Sequence, residues 1–224
     1  VIAATEIYSM NGVMAAERAQ HVNYASQALY LGRTVKFHFK VITLIMKKYR
    51  YSECFQSIQG EGHYIGAPSM FLRLWGCNFS CTGFSNPDRS KLNFSPAEIH
   101  HIKDLPVITQ GCDTVYAWHK DYRHLSMQAT ASEICDTIEG FNPTFHHEKS
   151  GQSIHLVLTG GEPMLSQGAI TEVINTFRHR NNLPQHVTIE TNGTQAPREP
   201  LKNLLNCIAK FQGEWFWSVS PKLS

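Results

Sequence analysis

The sequence predicts an α/β fold with a parallel sheet, and three observations carry that expectation. Short apolar runs of strand length recur at residues 69–75, 154–158, 187–190 and 215–219. Segments with apolar residues at helical spacing alternate with them, at 131–139, 167–180 and 200–211. Several of the strand-like runs open into loops rich in cysteine, glycine or polar side chains, which is where such a fold places a site.

The elements follow in order. Residues 1–45 do not match the rest: 15–31 is compatible with a helix, and Val35, Phe37, Phe39 and Val41 alternate as in a strand. They are read as an N-terminal extension without assigned role, and 46–224 as the working domain. FQSIQGEGHYIG at 55–66 brings Gln56, Gln59 and Glu61 together among Gly60, Gly62 and Gly66, which permit tight left-handed turns. Its polar groups suit a ring with donors and acceptors along one edge. In the strand 69–75, Arg73 points away from the apolar MFL run, poised either to clamp a substrate carboxylate or to make an interior salt bridge. Residues 131–139 form a helix with Ser132 as N-cap. The strand 154–158 ends in Thr159, Gly160, Gly161, Glu162 and Pro163, where glycines let a ligand approach the backbone. The helix 167–180 carries Ile170, Val173, Ile174 and Phe177 on one stripe. After the strand 187–190 come Thr191 and Asn192, read either as ligand contacts or as an ordinary Asn-Gly turn. The last strand ends at Ser220 and Lys222.

The stretch from Phe71 to Trp118 organises the chain. Cys77 and Cys81 have three residues between them in a loop, a spacing that wraps one corner of an iron–sulfur cluster. Three thiolates on a [4Fe–4S] cluster leave one iron open, as catalytic metal sites keep a free position. The third thiolate comes from among Cys54, Cys112, Cys135 and Cys207.

The CxxxC loop, GGEP at 160–163 and the segment GCDTVYAW at 111–118 together resemble radical S-adenosylmethionine enzymes, and within them 7-carboxy-7-deazaguanine synthases. The resemblance covers about residues 46–224. It departs from the usual motif at Phe84, where a third cysteine is expected, and at Gly111, where an aromatic residue is common. It makes Cys112 the third ligand, with 85–110 as an insertion inside the cluster loop, and leaves Cys54, Cys135 and Cys207 structural. It implies an incomplete parallel β/α barrel of the radical S-adenosylmethionine type with its C-terminal units missing. It further implies S-adenosylmethionine held by Phe79, Gly160, Gly161, Glu162, Glu190, Thr191, Asn192, Ser220 and Lys222. Gln56, Gln59, Gly60, Glu61, Gly62, Arg73 and Thr159 would meet a 6-carboxytetrahydropterin, Thr114 would lie beside Mg²⁺, and Tyr116 and Trp118 would wall the site. The implied reaction is a carbon–nitrogen lyase step on that pterin, in 7-deazapurine (queuosine-type) biosynthesis, with a flavodoxin or ferredoxin as electron donor and room for a homodimer.

Composition narrows the classes. A chain of 224 residues with 42% apolar and 17% charged residues can bury a core in one or two domains of roughly 150 residues. Net charge of +2 does not mark a nucleic-acid binder. Six unevenly spaced cysteines fit a metal role in a reducing compartment better than a disulfide scaffold. No basic-then-apolar leader opens the chain, and the strongest apolar run, 41–46, is too short for a bilayer, so the expectation is a cytoplasmic protein. Two rival readings stand beside the synthase. One is a radical-generating activase of the anaerobic ribonucleotide reductase type; the other is a non-catalytic zinc module or inactive fragment.

Overall fold

The computed structural model describes residues 46–81, 94–108, 112–210 and 213–222. The helix and strand expected within 1–45, and the positions Phe84 and Gly111, lie outside the described residues.

Six strands form one sheet in the order β3-β1-β2-β4-β5-β6. They are β1 Lys48–Ile58, β2 Pro68–Leu74, β3 Met127–Thr130, β4 His155–Gly160, β5 His186–Thr191 and β6 Glu214–Val219. β2, β4, β5 and β6 run parallel, as expected. β1, however, is antiparallel to both β2 and β3, so the sheet is mixed rather than parallel throughout. The reason is the short link at 59–67, closed by Gln59 N–H on Ala67 O and Gly66 N–H on Gln59 O, each at 2.8 Å. A link that short reverses the chain, whereas a parallel crossover needs a dozen or more residues. Gly62 and Gly66 take φ of 74° and 89° within it, but Gly60 does not enter the left-handed region, contrary to expectation.

Three helices cover one face: α1 Ala131–Phe141, α2 Gln167–His179 and α3 Glu199–Lys210. Ser132 does not cap α1. Thr130 does, in a reciprocal capping box with Glu133, and Ser132 instead accepts from Arg180. The helix-side core contains Met70, Leu72, Leu74, Leu156, Leu158, Val187 and Ile189 from the strands, and Ile134, Ile138, Ile170, Val173, Ile174, Phe177 and Leu201 from the helices. Strand alternation therefore sends Phe71, Arg73, Val157, Thr159, Thr188 and Glu190 to the opposite face. Among the described residues no helix is long and apolar enough to cross a membrane.

β1 changes phase partway. Tyr49 and Tyr51 face the helices, yet so does Cys54, because a bulge interrupts the register between Tyr51 and Glu53. Glu53 and Phe55 thereby come onto the face that carries Arg73 and Phe71.

Candidate iron–sulfur and cofactor site

The four parallel strands end together. Leu74 pairs with Gly160 across β2 and β4, and Thr191 with Val219 across β5 and β6. The loops after these ends, 75–81, 160–163, 191–194 and 219–222, are the segments the sequence singled out, and hydrogen bonds tie them to one another.

The first two are joined through their backbones. Glu162 N–H donates to Gly76 O at 2.7 Å, and Gly76 N–H donates to Ala117 O at 2.8 Å. The cysteine loop is thus pinned between GGEP and the segment after Cys112. A Cβ on Gly160 would lie 2.1 Å from Leu74 O, and one on Gly161 would lie 2.5 Å from Gly76 O and 2.7 Å from the Cys77 Cβ. Gly160 is needed because the end of β2 packs on its backbone, and Gly161 because the cysteine loop does.

Glu162 is almost wholly buried. Its Oε1 accepts from Met164 N–H at 2.9 Å and from the Thr191 hydroxyl at 2.7 Å; its Oε2 accepts from Asn192 N–H at 2.7 Å. It caps the short 3₁₀ turn Pro163–Ser166 and locks that turn to the end of β5. Three of about four acceptor positions are filled, leaving one for an ammonium. Asn192 extends the network through Asn78, which donates to Thr194, so the cysteine loop is tied to the β5 end as well. Ser220 N–H meets Thr191 O at 2.8 Å, and the exposed Lys222 reaches Ser220 Oγ at 3.2 Å. Asn78 and Thr194 carried no distinguishing signal in the sequence.

The segment 85–110 precedes Cys112. Its described part has two short 3₁₀ turns, Pro96–Glu98 and Ile102–Asp104, and His124 holds Ile99 O at 2.8 Å. Cys112 follows, and its sulfur accepts from Trp118 Nε1–H at 3.4 Å and contacts Thr114 Oγ1 at 3.4 Å. Cys77 Sγ accepts from Phe79 N–H at 3.4 Å. Burial pushes the Cys77 thiol pKa up; the Phe79 amide offsets part of this, while charge on Cys81, Glu162 and Cys112 raises it further. Cys77 therefore lies within the field of both Cys81 and Cys112.

The donor set fits a cluster. Two of the sulfurs already accept N–H bonds of the kind that tune iron–sulfur potentials. Cys54 and Cys135 belong to the helix-side core, and burial pushes both thiols up to about 12. Cys207 is described only in its backbone, within α3. Among the described residues no three His, Cys, Asp or Glu side chains converge as a single ion would require.

Beside the cysteines, Arg73 Nε donates to Glu53 Oε1 at 2.7 Å, and the Tyr116 hydroxyl donates to the same oxygen at 2.7 Å. The interior salt bridge, one of the two roles open to Arg73, is thus present. Glu53 was not anticipated, since only the bulge turns it to this face. Gln59 is buried and donates through Nε2 to Glu190 Oε1 at 3.0 Å, while its Oε1 accepts from Glu61 N–H. Thr159 is buried and pairs in register with Arg73. Gly62 sits against Ser218 Oγ. Gln56 is not brought in: it is exposed and pairs with Met70, on the opposite face of β1 from Phe55. Gly60 is exposed, and a Cβ there would meet nothing within 4 Å.

Comparison with known proteins gives a family and several relatives. Residues 58–209 match the family described as a 4Fe-4S single cluster domain. A 7-carboxy-7-deazaguanine synthase of Rhodopirellula baltica is 34% identical over 65% of this chain and 39% of that protein. One from Halobacterium salinarum is 30% identical over 77% of this chain and 45% of its own length. One from Buchnera aphidicola is 29% identical over 79% and 63%. This chain thus spans about half the length of such curated relatives. The crystal structure of QueE from Escherichia coli superposes with a TM-score of 0.44 and 23% identity, covering 79% of this chain and 61% of that one, a likeness too loose to build on.

Proposed function

This chain belongs to the family of 4Fe-4S single cluster domains, and from that premise we propose a radical S-adenosylmethionine lyase that converts 6-carboxy-5,6,7,8-tetrahydropterin to 7-carboxy-7-deazaguanine with loss of ammonia. The observation that carries the reading is the bond from Gly76 N–H to Ala117 O, which sets the segment after Cys112 against the loop of Cys77 and Cys81 at the common end of four parallel strands. The names of the relatives support the substrate.

In this reading Cys77, Cys81 and Cys112 hold a [4Fe–4S] cluster with one iron open to S-adenosylmethionine. When bound, the cluster supplies the electron that cleaves S-adenosylmethionine and so the radical that starts the rearrangement. The chain's own residues orient the cofactor. Glu162 takes the methionyl ammonium on its remaining acceptor position, against the Gly160–Gly161 backbone. Thr191, Asn192 and Glu190 face the ribose, Ser220 and Lys222 the methionyl carboxylate, and Phe79 the adenine. Gln59, Glu61 and Gly62 read the pterin edge, Thr159 lines the floor, Arg73 meets the carboxylate, and Thr114 lies beside Mg²⁺. The mixed sheet is read as part of an incomplete barrel. A flavodoxin or ferredoxin donor, a cytoplasmic setting and a homodimer complete the reading.

The test is anaerobic reconstitution followed by incubation with the tetrahydropterin, S-adenosylmethionine and reductant. A deazaguanine product is expected. A full cluster complement that cleaves S-adenosylmethionine but forms no deazapurine rejects the substrate. Zinc without iron or sulfide rejects the cluster itself.

A further inference from the structure

We propose that Glu53 is a positioning residue that fixes Arg73 for a carboxylate-bearing substrate, with Tyr116 as its brace. The proposal rests on the pterin reading above and goes one residue beyond it.

Three observations meet here. The first is the bulge between Tyr51 and Glu53. Without it, strand alternation would send Glu53 to the helix side with Tyr51, into an apolar core. Ser52, at the bulge, has its hydroxyl buried and without a hydrogen-bond partner among the described residues. A device that disturbs the ladder re-aims a side chain, and bulges are enriched beside active sites for that purpose.

The second is the way Arg73 is held. Its Nε is taken by Glu53 Oε1, and its guanidinium carbon lies 5.8 Å from the ring centres of Phe55 and Tyr116. Glu53 Oε1 also takes the Tyr116 hydroxyl, so one oxygen fixes both neighbours. Among the described residues no hydrogen bond engages the Arg73 Nη groups. An arginine anchored by Nε presents its terminal Nη pair as a fork, the arrangement that matches a carboxylate bidentately.

The third is placement. Arg73 and Glu53 are only 14% and 22% exposed, and Arg73 stands four residues before Cys77 at the end of β2. A largely buried ion pair is weak evidence for stability, because desolvation offsets its attraction. Its value here is orientation. A ligand whose carboxylate docks on the Nη pair is placed against the Phe55–Phe71 stack, whose rings lie 4.8 Å apart and 3° from parallel. The chemical class is a partly reduced bicyclic heterocycle bearing one carboxylate.

The experiment titrates anaerobically reconstituted full chain, in the presence of S-adenosylmethionine, with 6-carboxytetrahydropterin and with tetrahydropterin lacking the carboxylate. The wild type is expected to prefer the carboxylated ring. Glu53→Ala should lower that preference about tenfold, roughly the value of one charge-assisted hydrogen bond. Glu53→Gln retains an acceptor for Nε and the Tyr116 hydroxyl and should restore most of the preference. Tyr116→Phe keeps the ring but removes the brace, and should fall between, which also covers the case in which Glu53→Ala does not fold. Equal weakening of both ligands in Glu53→Ala, or an undiminished preference in Glu53→Ala and Tyr116→Phe, overturns the proposal. A wild type that binds neither ring, or binds both alike, instead removes the pterin reading on which it stands.

Discussion

Gly161→Ala isolates the contact that joins the cofactor loop to the cysteine loop. Its backbone φ lies outside the left-handed region, so the substitution carries no conformational strain of its own. The added Cβ would stand 2.5 Å from Gly76 O, 2.7 Å from Cys77 Cβ and 3.0 Å from Gly76 C. The first two fall short of ordinary contact by roughly an ångström. None of these atoms is the free end of a flexible side chain, so the loop itself must move. Overpacking of this kind costs about 1–3 kcal/mol. The shift also stretches the 2.7 Å bond from Glu162 N–H to Gly76 O, worth about 1 kcal/mol. Together the expected destabilisation is about 2–4 kcal/mol, or about 5–15 °C in Tm for a domain of this size. Because Cys77 is displaced with the loop, iron and sulfide after anaerobic reconstitution should fall as well. Differential scanning calorimetry and iron–sulfide analysis read the two effects, with Gly60→Ala as control, since a Cβ there meets nothing within 4 Å and should change stability by less than about 0.5 kcal/mol. A Gly161→Ala protein with wild-type Tm and full iron would show that the close packing of the two loops does not govern the cysteine positions.

Three further outcomes are expected. Cys112→Ala should abolish the brown colour and most bound iron, whereas Cys54→Ala and Cys135→Ala should keep both; iron retained in Cys112→Ala refutes the ligand set. Thr191→Val removes a hydroxyl that donates to the buried Glu162 carboxylate at 2.7 Å, so urea denaturation should show a loss of about 1.5–3 kcal/mol, and an unchanged midpoint would refute the Glu162 network. His155 is buried, stacks on His186 at 4.3 Å and lies 4.7 Å from Tyr64, near Glu214, and burial pulls its pKa down to about 4. The unfolded chain, with a histidine near 6.5, then binds the extra proton between about pH 4 and 6.5, so stability should fall as pH drops through that window and be flat above it. His155→Gln should flatten the slope there; an identical pH profile in the variant would show that His155 does not carry it.

The local chemistry was legible in the sequence because it lies in contiguous segments. The Thr-Gly-Gly-Glu-Pro turn, the Asn-Gly turn after β5 and the stripe of Ile170, Val173, Ile174 and Phe177 each announce themselves within a few residues, through backbone freedom or periodicity. Ser132 was a plausible cap by residue type alone, but Thr130 wins because Glu133 lies three residues on and completes the reciprocal pair. The parallel order of β2, β4, β5 and β6 followed from strand–helix alternation. The reversed β1 did not, because the direction of the chain there is set by the length of the Gln59–Ala67 link rather than by its composition.

By itself the sequence determined which residue types are available: three cysteines suited to a cluster, two glycines where no side chain fits, and a carboxylate in a turn. Tertiary structure decided which of them meet. The segment after Cys112 lies against the cysteine loop because Gly76 N–H donates to Ala117 O, a pairing no local rule encodes. Glu53 reaches Arg73 because one bulge inverts the phase of β1, and the period-two alternation of a strand makes a one-residue slip enough to carry a side chain from one face to the other. Gln56 is kept from the site by the same alternation. Spacing along the chain fixes local geometry, but contacts across a sheet depend on register, and register is set by the packing of the whole face.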